Sequence, residues 1–243
     1  MMITLQTAVL LCGLATGAAA SAQAVCQASS TAVAPTVVEL YTSEGCSSCP
    51  PADKWLSTLK GRDDVLALSF HVTYWDRLGW PDPFASAAYT QRQYDWASLH
   101  GSSNVYTPQT VVNGRDWRQW PNLPRPAQAG AAAPVKLVLT RQGDQVLAEV
   151  SAAAAGTPAL AGYWAVLEDG HSSRVKAGEN AGETLRHDHV VRLLKPVPQW
   201  AAASGLRSQF SVVKGAPETP RRVAFVVVDA KTQRPVQALA LAC

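Results

Sequence analysis

Residues 36–59 read TVVELYTSEGCSSCPPADKWLSTL: an apolar run, a short polar loop, two cysteines spaced Cys46-Ser47-Ser48-Cys49, and an amphipathic segment. An apolar strand running into a tight loop and a helix start, with Cys-x-x-Cys at the joint, is the arrangement that thiol–disulfide chemistry uses. Unpaired backbone N–H groups at a helix start carry partial positive charge that can stabilise a thiolate, and the hydroxyls of Ser47 and Ser48 can add hydrogen bonds. Cys46 is then the expected attacking sulfur and Cys49 the resolving one, which requires Cys46 to be reachable from solvent. Pro50-Pro51 softens the electrostatic part, because proline disfavours helical geometry at Cys49 and lets the regular helix begin only at the prolines. The same spacing is half of a zinc site, but no second Cys-x-x-Cys or His-x₃₋₅-His follows it. A structural disulfide is the other alternative, since two intervening residues allow one to close.

Around this stretch the chain is ordinary in composition. Its 243 residues are 47% hydrophobic and 16% charged with a formal net charge of +3, which describes a globular chain of one or two domains. The longest Lys/Arg run is Arg221-Arg222, so no nucleic-acid footprint is present and no nucleic-acid partner is expected. Residues 1–24 carry no charged side chain, have an apolar centre and end Ala22-Gln23-Ala24, which fits a removable export signal and a periplasmic or secreted protein. Loss of Cys12 with that signal leaves four cysteines in an oxidising compartment, and a Cys26–Cys243 bridge would pin both ends of the mature chain.

Taken in order, residues 36–41 form a buried strand carrying one acid, Glu39, expected to exchange a proton with the resolving sulfur. A helix follows with Trp55, Leu56 and Leu59 on one stripe and Gly61 at its end. Residues 65–72, VLALSFHV, form a second buried strand, and a loop rich in aromatic and turn residues leads to a helix between Pro83 and Gly101. Residues 105–114 then give a loop, Thr107-Pro108, a strand and an Asn-Gly turn. Six of the eight tryptophans fall before residue 121, and Trp75 and Trp80, in the loop, are candidates for a platform that binds an unfolded or peptide substrate. Residues 121–134 are rich in Pro, Ala and Gly and read as a linker. Beyond them, seven strand-like runs (135–140, 145–151, 161–168, 189–194, 208–213, 222–229 and 236–243) separated by turn residues suggest an antiparallel β-sandwich. His187 and His189 form a His-x-His pair that a polar turn entering a strand explains as well as a metal does.

The order strand, Cys-x-x-Cys, helix, strand, helix, Thr-Pro, strand resembles the first part of the thioredoxin fold. The phrases YTSEGCSSCPPAD, SFHVTYWDRLGWPDPFAS and YTPQTVVNG resemble those of an exported bacterial family, domain of unknown function 1223, over residues 35–118 and weakly through GENAG…H…VVR. The thioredoxin resemblance implies a cis bond at Thr107-Pro108, with Pro108 facing the cysteines and holding extended substrate backbone, and it gives Glu39 the place of a buried acid. The resemblance to the exported family implies fold and compartment but no reaction. The chain departs from the parent fold at residues 119–133, where three prolines and a run of alanines stand in place of the last helix.

The expectation is therefore an α/β thioredoxin-like N-terminal domain (25–120) after a signal peptide (1–24), a linker (121–134), and an all-β, antiparallel sandwich-like C-terminal domain (135–243). The expected activity is that of a thiol–disulfide oxidoreductase acting on protein, peptide or small-molecule disulfides, needing no cofactor, with a membrane electron donor or acceptor as a candidate partner. Cys46, Cys49, Glu39 and Pro108 would be its catalytic residues, and Trp75, Trp80 and Thr107 its substrate-binding ones. The alternatives are a metal-handling protein binding Cu(I) through Cys46, Cys49 and His71, and a non-catalytic binding module whose cysteine pair only staples a loop.

Overall fold

The computed structural model describes residues 25–120, 122–123, 132–212, 216 and 218–241. The expected export signal, most of the expected linker, and Cys243 with its expected bridge to Cys26 lie outside the described residues. The elements run β1 (Cys26–Ser29), β2 (Thr36–Thr42), α1 (Pro50–Ser57), β3 (Val65–His71), a 3₁₀ turn (Asp76–Leu78), α2 (Ala87–Leu99), β4 (Gln109–Val112) and β5 (Arg115–Asp116). They continue with β6 (Leu137–Gln142), β7 (Gln145–Val150), β8 (Leu160–Glu168), β9 (His171–Arg174), β10 (Thr184–His187), β11 (Val190–Trp200), β12 (Leu206–Ser211), β13 (Arg221–Asp229) and β14 (Pro235–Leu241).

The local signals act as their chemistry dictates. Pro50 and Pro51 open α1, where a missing N–H removes no intrahelical bond. Ser86 caps α2 by accepting from the Ala88 N–H at 3.2 Å. Gly61 and Gly101, both at positive φ, follow the two helices.

The expected fold class is corrected by the sheet topology. In place of an α/β thioredoxin-like N-terminal domain followed by a separate all-β one, the molecule is mostly β-sheet, with two α-helices among the described residues. One mixed eight-stranded sheet, ordered β14-β13-β8-β11-β3-β2-β4-β5, takes strands from both halves of the chain. The join is a short parallel contact in which Val190 of β11 lies opposite Ser69 of β3, with the Ser69 N–H donating to the His189 carbonyl at 2.8 Å. An edge strand exposes unpaired backbone groups that another strand can satisfy, and here β11 covers the edge of β3. Short apolar runs carry no record of which distant strand will pair with them.

Period-2 alternation then sorts the side chains onto two faces. On one face Val37, Tyr41, Phe70, Tyr163, Leu167 and Val226 pack with Tyr89 of α2. On the other, Val38, Leu40, Ala67 and Val112 pack under Ala52, Trp55 and Leu56 of α1. Further along that second face, Trp164, Val166, Val223 and Phe225 pack against Leu137, Leu139, Val146 and Phe210 of the four-stranded sheet β1-β6-β7-β12. β8 and β13 are thus buried on both faces. β9 and β10 form a separate two-stranded ribbon.

Gly162 of β8 sits at a tight point of this packing: a Cβ there would lie 2.8 Å from the Val226 carbonyl oxygen and 3.0 Å from the Phe225 ring. Gly162→Ala is expected to destabilise the protein by about 1–3 kcal/mol through overpacking. An unchanged urea unfolding midpoint would mean that β8 and β13 yield without strain.

Candidate functional site

The cysteines lie where β2 hands over to α1. Cys46 and Cys49 form a disulfide with a Cα–Cα distance of 5.4 Å, and Cys49 is the N-cap of the helix. The side chains of Ser47 and Ser48 are exposed, yet Cys46 and Cys49 are each 0% exposed. The accessible attacking sulfur expected from the sequence is therefore covered in this conformation. Nor is the helix start a store of unused donors: Pro50 and Pro51 have no N–H, and those of Ala52 and Asp53 both go to the Cys49 carbonyl, at 2.9 and 3.1 Å. Of the two serine hydroxyls, Ser48 Oγ lies 3.4 Å from Cys46 Sγ, whereas Ser47 Oγ donates to Glu179 Oε2 at 2.7 Å.

Alternation along β2 explains what became of Glu39. Its side chain shares a face with Val37 and Tyr41, the α2 face, while Thr42 points to α1. Glu39 accepts from Arg92 of α2 at 2.5 Å and from the Tyr163 hydroxyl at 2.8 Å, with the guanidinium 4.5 Å from the Tyr163 ring centroid. The sheet separates it from α1. The carboxylate beside the cysteines is Asp53 instead, one helical turn after Cys49 and only 6% exposed. Thr42 Oγ1 donates to Asp53 Oδ2 at 3.1 Å, and Asp53 Oδ1 has no hydrogen-bond partner. Burial raises the Asp53 carboxyl above its ordinary range, partly opposed by the nearby imidazoles of His187 and His71.

Those imidazoles belong to a buried polar cluster that extends under the loop. Glu44, 0% exposed, accepts from Trp80 Nε1 at 2.7 Å and pairs with His187 Nε2 at 3.1 Å, while its N–H donates to Asp82 Oδ2 at 2.8 Å. Asp82 in turn pairs with His71 Nδ1 at 2.7 Å and accepts the Phe84 N–H at 2.9 Å. The His71 and His187 rings meet edge to face at 4.9 Å between centroids. His71 Nε2 and His187 Nδ1, like Asp53 Oδ1, are buried without a hydrogen-bond partner. Burial alone would raise Asp82 and lower His71, but each other's charge and hydrogen bond prevail: Asp82 falls to about 2 and His71 rises.

The remaining sequence candidates surround this loop. Trp75 Nε1 donates to Thr107 Oγ1 at 2.7 Å, and the Trp75 Cβ lies 3.0 Å from where a Cβ on Gly45 would stand. The peptide bond between Thr107 and Pro108 is cis. Pro108 lines a cleft of about 270 Å³ with Tyr106, Thr110, Trp117, Arg118 and Trp120. Trp75, Trp80 and Thr107 thus gather at the cysteine loop, and both indole N–H groups are engaged within the protein. His187 and His189 do not act as a pair: His187 serves Glu44, while His189 Nδ1 lies 3.0 Å from an Arg222 nitrogen, beside Asp169. Among the described residues no three His, Cys, Asp or Glu side chains converge as metal ligands, so the Cu(I) grouping of Cys46, Cys49 and His71 is not assembled.

Sequence reasoning missed Glu44, Asp53, Asp82, Glu179 and Asn180. Only Asp82, held between Pro81 and Pro83, carried a local hint of a fixed conformation.

A family model described as "Protein of unknown function (DUF1223)" matches residues 37–228. The chain is similar to the crystal structure of protein AGR_C_4864 from Agrobacterium tumefaciens, with 28% identity and a TM-score of 0.66 over 86% of this chain and 94% of that one. It is also similar in fold to HBP35 of Porphyromonas gingivalis, with 14% identity and a TM-score of 0.52 over 88% of this chain and 76% of that one. No curated protein matches it.

The His71–Asp82 pair predicts a bounded pH window. Asp82 is depressed, so its contribution to stability is complete above the ordinary value of 3.8 and fades as pH falls towards about 2. His71 is raised, so its contribution is complete below 6.5 and fades as pH climbs through its higher folded value. Asp82→Asn is expected to cost about 3 kcal/mol, as removal of one partner from a buried pair does, with the deficit largest between pH 3.8 and 6.5. Urea unfolding at a series of pH values measures this; a deficit independent of pH would show that the pair is not ionised.

Proposed function

The chain belongs to the DUF1223 family, and we propose that it is an exported thiol–disulfide oxidoreductase acting on protein or peptide clients through the Cys46–Cys49 pair. A client thiolate attacks Cys46 Sγ, the Cys46–Cys49 bond breaks, and a mixed disulfide forms as Cys49 departs with the electron pair. Protonated Asp53 supplies the proton that Cys49 takes up. A second client thiolate then attacks the client sulfur of the mixed disulfide and releases Cys46 as a thiolate. The client gains a disulfide and the cysteine pair two electrons; with a client disulfide and a reduced pair the same steps run in reverse, and Asp53 accepts the proton from Cys49.

Support for an enzyme over a staple comes chiefly from Asp53. A disulfide that only closes a loop has no need of a buried carboxylate one turn away with an unpartnered oxygen, set beside two imidazoles each holding an unpartnered nitrogen. Each such atom costs about 1–3 kcal/mol when desolvated, and a redox or catalytic role is one of the reasons for which a fold keeps a buried polar group unsatisfied. The loop carrying Thr107 and Pro108, joined to the cysteine loop through Trp75, offers a surface for an extended client segment.

A second reading, a binding module with a structural disulfide, is favoured by the complete burial of both sulfurs. Asp53→Asn separates the two. Because burial raises this carboxyl, the folded state carries a penalty that sets in as pH rises past the ordinary value of 3.8. The variant is therefore expected to unfold at higher urea than wild type at neutral pH. As an enzyme it would also exchange with a model dithiol peptide about 10²-fold more slowly, with an altered pH profile. Stabilisation without any loss of exchange, or wild-type exchange no faster than Cys46→Ser, would leave only the staple.

A further inference from the structure

We propose that residues 178–182, Gly-Glu-Asn-Ala-Gly, form a latch that holds the Cys46–Cys49 disulfide shut and whose release exposes Cys46; its purpose, though not its geometry, rests on the thiol-exchange function proposed above. Two consecutive side chains fasten this segment onto the cysteine loop. Glu179 Oε2 accepts from the Ser47 N–H at 3.0 Å and from the Ser47 hydroxyl at 2.7 Å. The Asn180 side-chain amide donates to the Glu44 and Cys46 carbonyl oxygens, both at 2.9 Å. Four hydrogen bonds thus tie down three of the four residues from 44 to 47.

The fastenings differ in depth. Asn180 is 7% exposed and its bonds are buried, whereas those of Glu179 lie in solvent, where water competes for the same carboxylate. The segment stands between two glycines above a paired base. Gly178 and Gly182, at φ +76° and +93°, stand at its two ends, in a region glycine enters without strain. Below them, the Gly182 N–H donates to the Val175 carbonyl and the Val175 N–H to the Glu183 carbonyl, each at 2.9 Å, and β9 and β10 continue the pairing. That ribbon shares no ladder with either large sheet, so its tip can lift without breaking one. The His187–Glu44 contact at the far end of β10 keeps the base in place.

The direct test is the rate at which tris(2-carboxyethyl)phosphine reduces the disulfide in the whole folded protein, followed by trapping the new thiols with a maleimide. The double variant Glu179→Ala/Asn180→Ala is expected to react about tenfold faster or more, the loss of charge-assisted and buried hydrogen bonds setting the scale. Glu183→Ala, on the same ribbon but with no hydrogen bond from its carboxylate to the loop, should match wild type. Native-state hydrogen exchange gives a second readout: the Ser47 amide should lose protection in Glu179→Ala while the amides of β2 and β3 keep theirs. If the double variant does not fold, Glu179→Gln, which keeps the shape and loses the charge, should still accelerate reduction. Unchanged reduction rates or undiminished Ser47 protection would overturn the latch. Faster reduction in a protein whose wild type exchanges with no client would leave the latch standing and remove the enzyme, while client exchange without acceleration would remove the latch alone.

Discussion

The parallel contact between β11 and β3, at Val190 and Ser69, is small and decides most of what the molecule is. By satisfying the edge of β3 it merges strands from the two ends of the chain into one sheet. In the same stroke it fixes the start of β11, and with it the β9–β10 ribbon that precedes it, over the loop that carries the cysteines. Through that ribbon His187 reaches Glu44, and Asn180 reaches the Glu44 and Cys46 carbonyl oxygens.

Burial of polar chemistry beneath the disulfide is the second consequence. Glu44, Asp53, Asp82, His71 and His187 are all below a tenth exposed, in a place where apolar side chains would be more stabilising. Two carboxylate–imidazole pairs satisfy part of this cluster, and three atoms are left over. The cluster ties the cysteine loop to the ribbon through the Glu44–His187 pair and places Asp53 in the first turn after Cys49.

Much of the local structure was legible in the sequence. The apolar β-branched runs at 36–42 and 65–71 are strands, Pro50-Pro51 opens a helix, Gly61 and Gly101 follow two helices, and the spacing of Cys46 and Cys49 lets them join. Trp75, Trp80 and Thr107 gather at the cysteine loop, where their polar atoms serve the protein itself. Glu39 lies near the cysteines in sequence but not in space, because alternation along β2 sends it to Arg92 on the opposite face. The separate α/β domain failed for a related reason: matched local elements do not specify which edge a later strand will cover.

What the sequence settled by itself was the set of short-range choices, since backbone sterics, proline and glycine preferences and side-chain periodicity all act within a few residues. Which carboxylate lies on the cysteines' helix, which imidazole pairs with Glu44 and which residues close over Cys46 were decided only by the folded chain. The contacts concerned span 38 residues from Glu44 to Asp82, 143 from Glu44 to His187 and 132 from Ser47 to Glu179. Polar side chains carry no periodic signature of such distant partners, and only strand pairing brings them within hydrogen-bonding distance.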